Sequence, residues 1–151
     1  MRDNPTRASI EAALAAMAEG AQEVALDANP AFVSLGAVLT GGAAGTLRLR
    51  FTAEPSAVQG NGVVAGGTLA AMLDSATAIA VLSALPAGRT CATTSLTVNM
   101  LAAGKVGRFE ARASVDRVGR SAAFSRADLY DIPGDRLIAT ASASFAVREA
   151  D

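Results

Sequence analysis

The chain has 151 residues, a net charge of −1, 18% charged residues, a single cysteine and no histidine. That length fits one domain, here read as residues 1–151, and so balanced a charge leaves no footprint for nucleic acid. Cys91 alone excludes an intramolecular disulfide, and the lack of histidine excludes Ser-His-Asp and Cys-His catalysis together with histidine-ligated metal sites.

Residues 1–27 read as a short N-terminal helix with a connector. Asn4 can cap a helix whose first turn takes Pro5, and Ile10, Ala13, Leu14 and Met17 repeat at helical spacing before Gly20 ends it. Nothing in Met1 to Ala12 joins a basic start to an apolar run, so a reducing cytoplasm is the expected location.

From residue 28 the pattern changes. Phe32 to Thr40 is expected as a first strand and Gly41, Gly42 and Gly45 as a loose turn. Leu47, Leu49 and Phe51 then alternate with Arg48, Arg50 and Thr52, the mark of a half-exposed antiparallel strand. Pro55 to Gly62 is a loop. It feeds an apolar helix from about Gly66 to Leu85, which Pro86 and Gly88 stop, and which needs cover on almost every side. A membrane span is disfavoured there, because Asp74 at its centre adds about 2.5–3.5 kcal/mol to insertion.

Four strand patterns follow Arg89. Leu96, Val98 and Met100 share a face of the first; Phe109, Ala111, Ala113 and Val115 alternate with charged residues on the second. The third spans about Ser121 to Tyr130, and Pro133, Gly134 and Asp135 turn into a fourth, Leu137 to Val147. Short connections favour an antiparallel sheet, and the inward alanines suit a sheet that approaches the helix closely. The fold class is therefore α+β, a sheet around one helix.

Asp74 is the only charged residue between Glu54 and Arg89. An unpaired ion taken out of water costs several kcal/mol, so such an acid accepts hydrogen bonds from its neighbours or does chemistry. Ser75 and Thr77 on the same helix could orient a water or bond back to the i−4 carbonyl. Arg117 and Arg120, around Gly119, form either a phosphate clamp or a solvated turn. Cys91 has no activating cation near it in sequence and reads as an inert core thiol.

The segment VVAGGTLAAMLDSA, followed by TTSLTVNML, VGRSAA and YDIPGDRLIATASASF, resembles the hotdog-fold acyl-CoA thioesterases of the phenylacetate-pathway (PaaI-like) type. The resemblance covers about Phe32 to Val147, within a hotdog core at residues 28–151. It implies an antiparallel sheet around a long central helix, and hydrolysis of an acyl-CoA thioester. Asp74 matches the family's general base or nucleophile, Gln59 a thioester-contacting amide, and Gly67 and Gly66 the turn whose N–H groups hold the thioester oxygen. Gly119 and Arg120 match a loop that meets coenzyme A phosphates. The family's histidine is replaced by Ala65, which motivates the alternative of a non-catalytic acyl-CoA or acyl-carrier binding protein. No cofactor or metal is expected beyond coenzyme A as part of the substrate. The same resemblance implies a homodimer, extended to a dimer of dimers, with sites built from two subunits.

Overall fold

A computed structural model describes residues 3–151. The elements run α1 (Pro5–Ala18), β1 (Val24–Ala25), α2 (Pro30–Ser34), β2 (Val38–Ala43), β3 (Thr46–Ala53), a 3-10 turn (Pro55–Ala57), α3 (Gly66–Ala84), β4 (Arg89–Met100), β5 (Gly107–Val118), β6 (Ala122–Ile132) and β7 (Leu137–Glu149). The seven strands form one antiparallel sheet in the order β1-β2-β3-β5-β6-β7-β4. It is a hotdog fold, a curved sheet around α3.

The inner face follows from period-two alternation. Leu47, Leu49 and Phe51 on β3, Phe109, Ala111 and Ala113 on β5, and Ala139, Ala141, Ala143, Phe145 and Val147 on β7 are all buried. Alanine at so many of these positions lets α3 lie close to the strands. Leu69, Met72, Leu73, Ala76, Ile79 and Ala80 fill the remaining space from the helix side. By length and composition α3 could cross a membrane, but here it is the core helix of the sheet.

Two expectations are corrected. Phe32 to Thr40 is not one strand: Pro30–Ser34 forms α2, because the Asn29 Oδ1 accepts the Ala31 N–H at 2.9 Å and Pro30 supplies a helical φ. Within that segment only Val38 onward lies in the sheet, and Gly41 and Gly42 belong to β2, with the turn at Ala44 and Gly45. Gly42 has φ +105, and a Cβ there would clash with the Thr46 carbonyl oxygen, so the hairpin demands glycine. Second, α3 is not covered all round. Gly67 and Ala71 are exposed and Asp74 and Ala78 half-buried, a stripe at spacings of four, three and four along one helix face.

The N-terminal helix docks on the carboxyl end of α3. Buried Arg7 donates from Nε to the Leu85 carbonyl at 3.0 Å and pairs with Asp3 and Glu11. This satisfies a carbonyl that the helix itself cannot. Asp3 also accepts the Gly88 N–H at 3.1 Å, and Asn4 Nδ2 donates to Thr90 Oγ1 at 2.6 Å.

Candidate active site

Asp74 stands on the open stripe of α3, beside the edge strand β4. Its Oδ1 accepts a hydrogen bond from the Thr93 hydroxyl at 2.8 Å, and it forms no ion pair with any described residue. The β4–β7 register shifts between Thr93 and Ser95, a bulge of the kind that re-aims side chains next to functional sites. Asp74 is thus not the fully buried acid expected from its apolar neighbours; helix spacing puts it where the sheet ends.

The carboxylate opens into a groove of about 280 Å³ between α3, β4 and the amino ends of α1 and α2. Ser75, Ala78, Leu82, Phe32 and Phe145 line it. Cys91 lines it too, and burial, with the Asp74 charge added, pushes its thiol up to about 11. Such a thiol is a poor nucleophile at neutral pH, but Cys91 lines the groove half-exposed instead of lying in the core as its sequence surroundings suggested.

A second groove, of about 410 Å³, opens at the amino end of α3 between Val63, Gly66, Leu69, Met100, Leu101 and Gly104. The helix begins at Gly66, and neither the Gly66 nor the Gly67 N–H donates to a described residue. These free donors and the helix dipole make an electropositive end. A Cβ at Gly67 would meet nothing within 4 Å, so this chain's own contacts do not demand glycine there. Ala65 occupies the cap position and offers no side-chain hydrogen bond.

The other anticipated residues divide. Ser75 lies in the groove beside Asp74. Thr77 does not: it is fully buried, and its hydroxyl donates to the Leu73 carbonyl at 2.9 Å, the back-bond that competes with any binding role. Gln59 is exposed and spends its Oε1 on the Asn61 N–H at 2.6 Å, outside both grooves. Gly119 tightens the β5–β6 turn, its N–H donating to the Ala122 carbonyl at 2.7 Å. Arg120 is exposed on that turn, where its carbonyl accepts from Arg89 Nη2 at 2.5 Å. Thr93, Asn4 and Asn29 line the groove beside Asp74 and were not foreseen there. They come from segments remote in sequence, and only the Asn-Pro pairs at 4–5 and 29–30 gave a local signal, for helix starts rather than for a site.

A family model described as "Thioesterase superfamily" matches residues 61–141, the span from the loop before α3 to the middle of β7. The chain belongs to the thioesterase superfamily. Among solved structures, this thioesterase-superfamily chain is similar to a phenylacetic acid degradation-related protein from Ralstonia eutropha, at 30% identity over 89% of this chain and 98% of that one, with a TM-score of 0.74. The E. coli PaaI protein from the phenylacetic acid degradation operon shares the fold at 18% identity, covering 97% and 96% of the two chains, with a TM-score of 0.73. A Streptococcus mutans protein bound to acetyl CoA shares it at 16% identity, 74% and 87% coverage and a TM-score of 0.67. No curated protein matches the chain. The thioesterase-superfamily match spans Gly66, Gly67, Asp74 and Thr93.

Proposed function

We propose that this superfamily member is an acyl-CoA thioesterase in which Asp74 activates water, or attacks the carbonyl itself, and the Gly67 N–H stabilises the oxyanion. The single observation behind this reading is the Asp74 carboxylate, without a cation partner among the described residues and held by Thr93 at the mouth of a groove with apolar walls from Phe32, Ala78, Leu82 and Phe145. In the water route, the water oxygen adds to the thioester carbon while Asp74 takes its proton. The oxyanion then collapses, the C–S bond breaks, and coenzyme A leaves as a thiolate. A thiol of ordinary pKa, about 8.5, leaves without prior protonation far more readily than an alkoxide, so the change of the family histidine to Ala65 does not remove a needed acid. General-base action contributes about 10²–10⁴-fold and one oxyanion donor roughly 10²–10³-fold.

Helix geometry argues that two copies share each site. Gly67 and Asp74 are seven residues apart on α3, about 10 Å along the axis, too far for both to act on one carbonyl. β4 is an edge strand with hydrogen-bonding groups unpaired along one side. Antiparallel pairing of two β4 edges about a two-fold at Thr97, with the bulge after Thr93 taking up one residue, sets Thr93 opposite Met100 of the partner subunit. Within a chain, Met100 lies beside Gly66, so this pairing brings one copy's amino-end groove to the other's Asp74. The open space at Gly67 fits that arrangement.

Arg89, Arg120 and Arg148 gather where β4 starts, β7 ends and β5 turns into β6, with no carboxylate partner among the described residues, and offer donors to the nucleotide phosphates. The acetyl CoA bound to the Streptococcus mutans protein of this fold lends support. No further cofactor is called for, and the proposed setting is cytoplasmic, as a homodimer or dimer of dimers of one hotdog domain. Ala65 favours a second reading, acyl-CoA or acyl-carrier binding without turnover. Thiol release from a panel of acyl-CoAs separates the two: tight coenzyme A binding with no release from any member overturns the enzyme.

A further inference from the structure

The groove beside Asp74 is bounded at its far end by the start of α1. At one end sit Asp74 and Thr93; at the other, Asn4 Nδ2 donates to Thr90 Oγ1 at 2.6 Å and ties the start of α1 across to β4. Arg7 and Asp3, bonded to Leu85 and Gly88, hold this strap in place. Between the two ends Phe32, Ala78, Leu82 and Phe145 give apolar walls, and Thr6, Asn29, Ser75 and the neutral thiol of Cys91 complete the lining. Phe32 comes from α2, which exists because Asn29 and Pro30 start a helix there. The amino-end groove, by contrast, is larger and bordered by exposed Met100 and Leu101. A pantetheine arm must reach the surface and carries two amides, whereas an acyl tail ends in carbon. The groove bounded by Asn4, with its aromatic and aliphatic walls, suits the tail.

Its size sets a limit. Thr93 and Thr90 are three residues apart on a strand, about 10 Å. Carbons of an extended chain advance about 1.3 Å each, given C–C bonds of about 1.5 Å, so that length takes about eight. A volume of about 280 Å³, at roughly 30 Å³ per water-sized group, holds about nine such groups. We propose that this groove is the acyl pocket, that Phe32 and the Asn4–Thr90 strap close it, and that it admits apolar acyl groups of up to about eight carbons. The inference rests on the thioesterase reading and names its substrate class.

The test is kcat/KM for acetyl-, butanoyl-, octanoyl-, dodecanoyl- and hexadecanoyl-CoA with the wild-type chain, Phe32→Ala and Ala31→Trp. Wild type should peak at octanoyl-CoA. Phe32→Ala should raise the dodecanoyl-to-octanoyl ratio about tenfold, and Ala31→Trp, which fills the groove from an exposed position, should lower the octanoyl-to-butanoyl ratio about as much, since one methylene in such a pocket is worth roughly tenfold or more. If Phe32→Ala fails to fold by circular dichroism, the Ala31→Trp arm decides alone. An active wild type whose folded variants keep the wild-type ratios overturns the acyl pocket and leaves the thioesterase reading standing. A wild type that releases no thiol overturns the thioesterase reading. Calorimetry with free octanoate and hexadecanoate then judges the pocket: octanoate binding that Ala31→Trp abolishes upholds it, and no octanoate binding overturns it.

Discussion

The Thr93 hydroxyl and the Asp74 carboxylate meet at 2.8 Å across 19 residues of sequence, one on the bulge of β4 and the other on the open stripe of α3. A hydrogen bond to a charged acceptor is worth about 1.5–3 kcal/mol, enough to fix one oxygen and leave the other to face the groove. Thr93→Val keeps the shape and removes the donor. Its kcat should fall about tenfold or more with KM little changed, and Thr93→Ser should restore most of the loss. A valine variant with wild-type kcat would show that Thr93 only supports the strand.

Asp74→Asn replaces the carboxylate by an amide of the same size in a half-buried position, so the fold should persist. Turnover on the best acyl-CoA should drop at least about 100-fold, whether the carboxylate serves as base or as nucleophile. Thiol release measured beside circular dichroism checks both statements, and retained activity in the folded variant assigns the base elsewhere.

Thr97 is exposed at the middle of β4, on the proposed two-fold. Glutamate there would set two like charges side by side across paired edges, an arrangement that destabilises the pairing. Light scattering should give about twice the 15.1 kDa chain for wild type and the single chain for Thr97→Glu. With each site built from two copies, as proposed, turnover should vanish with the dimer. A monomeric variant at full activity would mean that each chain carries a complete site.

The long helix, the last four strands and the N-terminal helix were legible because each is a periodic run punctuated by Pro or Gly, and Asp74 because it broke such a run. Asn29–Pro30 carries the same helix-start signal as Asn4–Pro5, yet the alternating apolar residues after it suggested a strand; a five-residue helix is too short for periodicity to reveal. The exposed stripe on α3 was hidden because alanine and glycine look alike whether they face a sheet or open space. Thr93 and Asn4 reach the groove beside Asp74 through tertiary contacts, and no local pattern encodes those.

Arg7 is a charged residue buried at 7% exposure because it has three acceptors, the Leu85 carbonyl, Asp3 and Glu11. Arg7→Met keeps the apolar stem and leaves the Leu85 carbonyl unpaired, a loss of about 1–3 kcal/mol that urea unfolding would register. Burial by itself would raise the Asp3 carboxyl, but the Gly88 N–H and the Arg7 charge outweigh it and hold it below its ordinary 3.8. That contribution is present above the ordinary value and is lost as pH falls through the lowered one. An unchanged midpoint in Arg7→Met would show that water serves Leu85 equally well.

Cys91 gives the alkaline counterpart. Burial, then the charge of Asp74, carries its thiol from an ordinary 9.0 to about 11. The neutral form is the one the fold favours, so stability from this group is intact below pH 9.0 and drains away as pH climbs towards about 11, where the unfolded chain is already thiolate. At neutral pH the group is a thiol rather than a nucleophile, and iodoacetamide should label the folded chain far more slowly than the urea-unfolded one. Thermal unfolding of wild type and Cys91→Ala across that alkaline range provides the second measurement. The wild-type curve should fall more steeply, and parallel curves would mean that the thiol titrates the same way in both states.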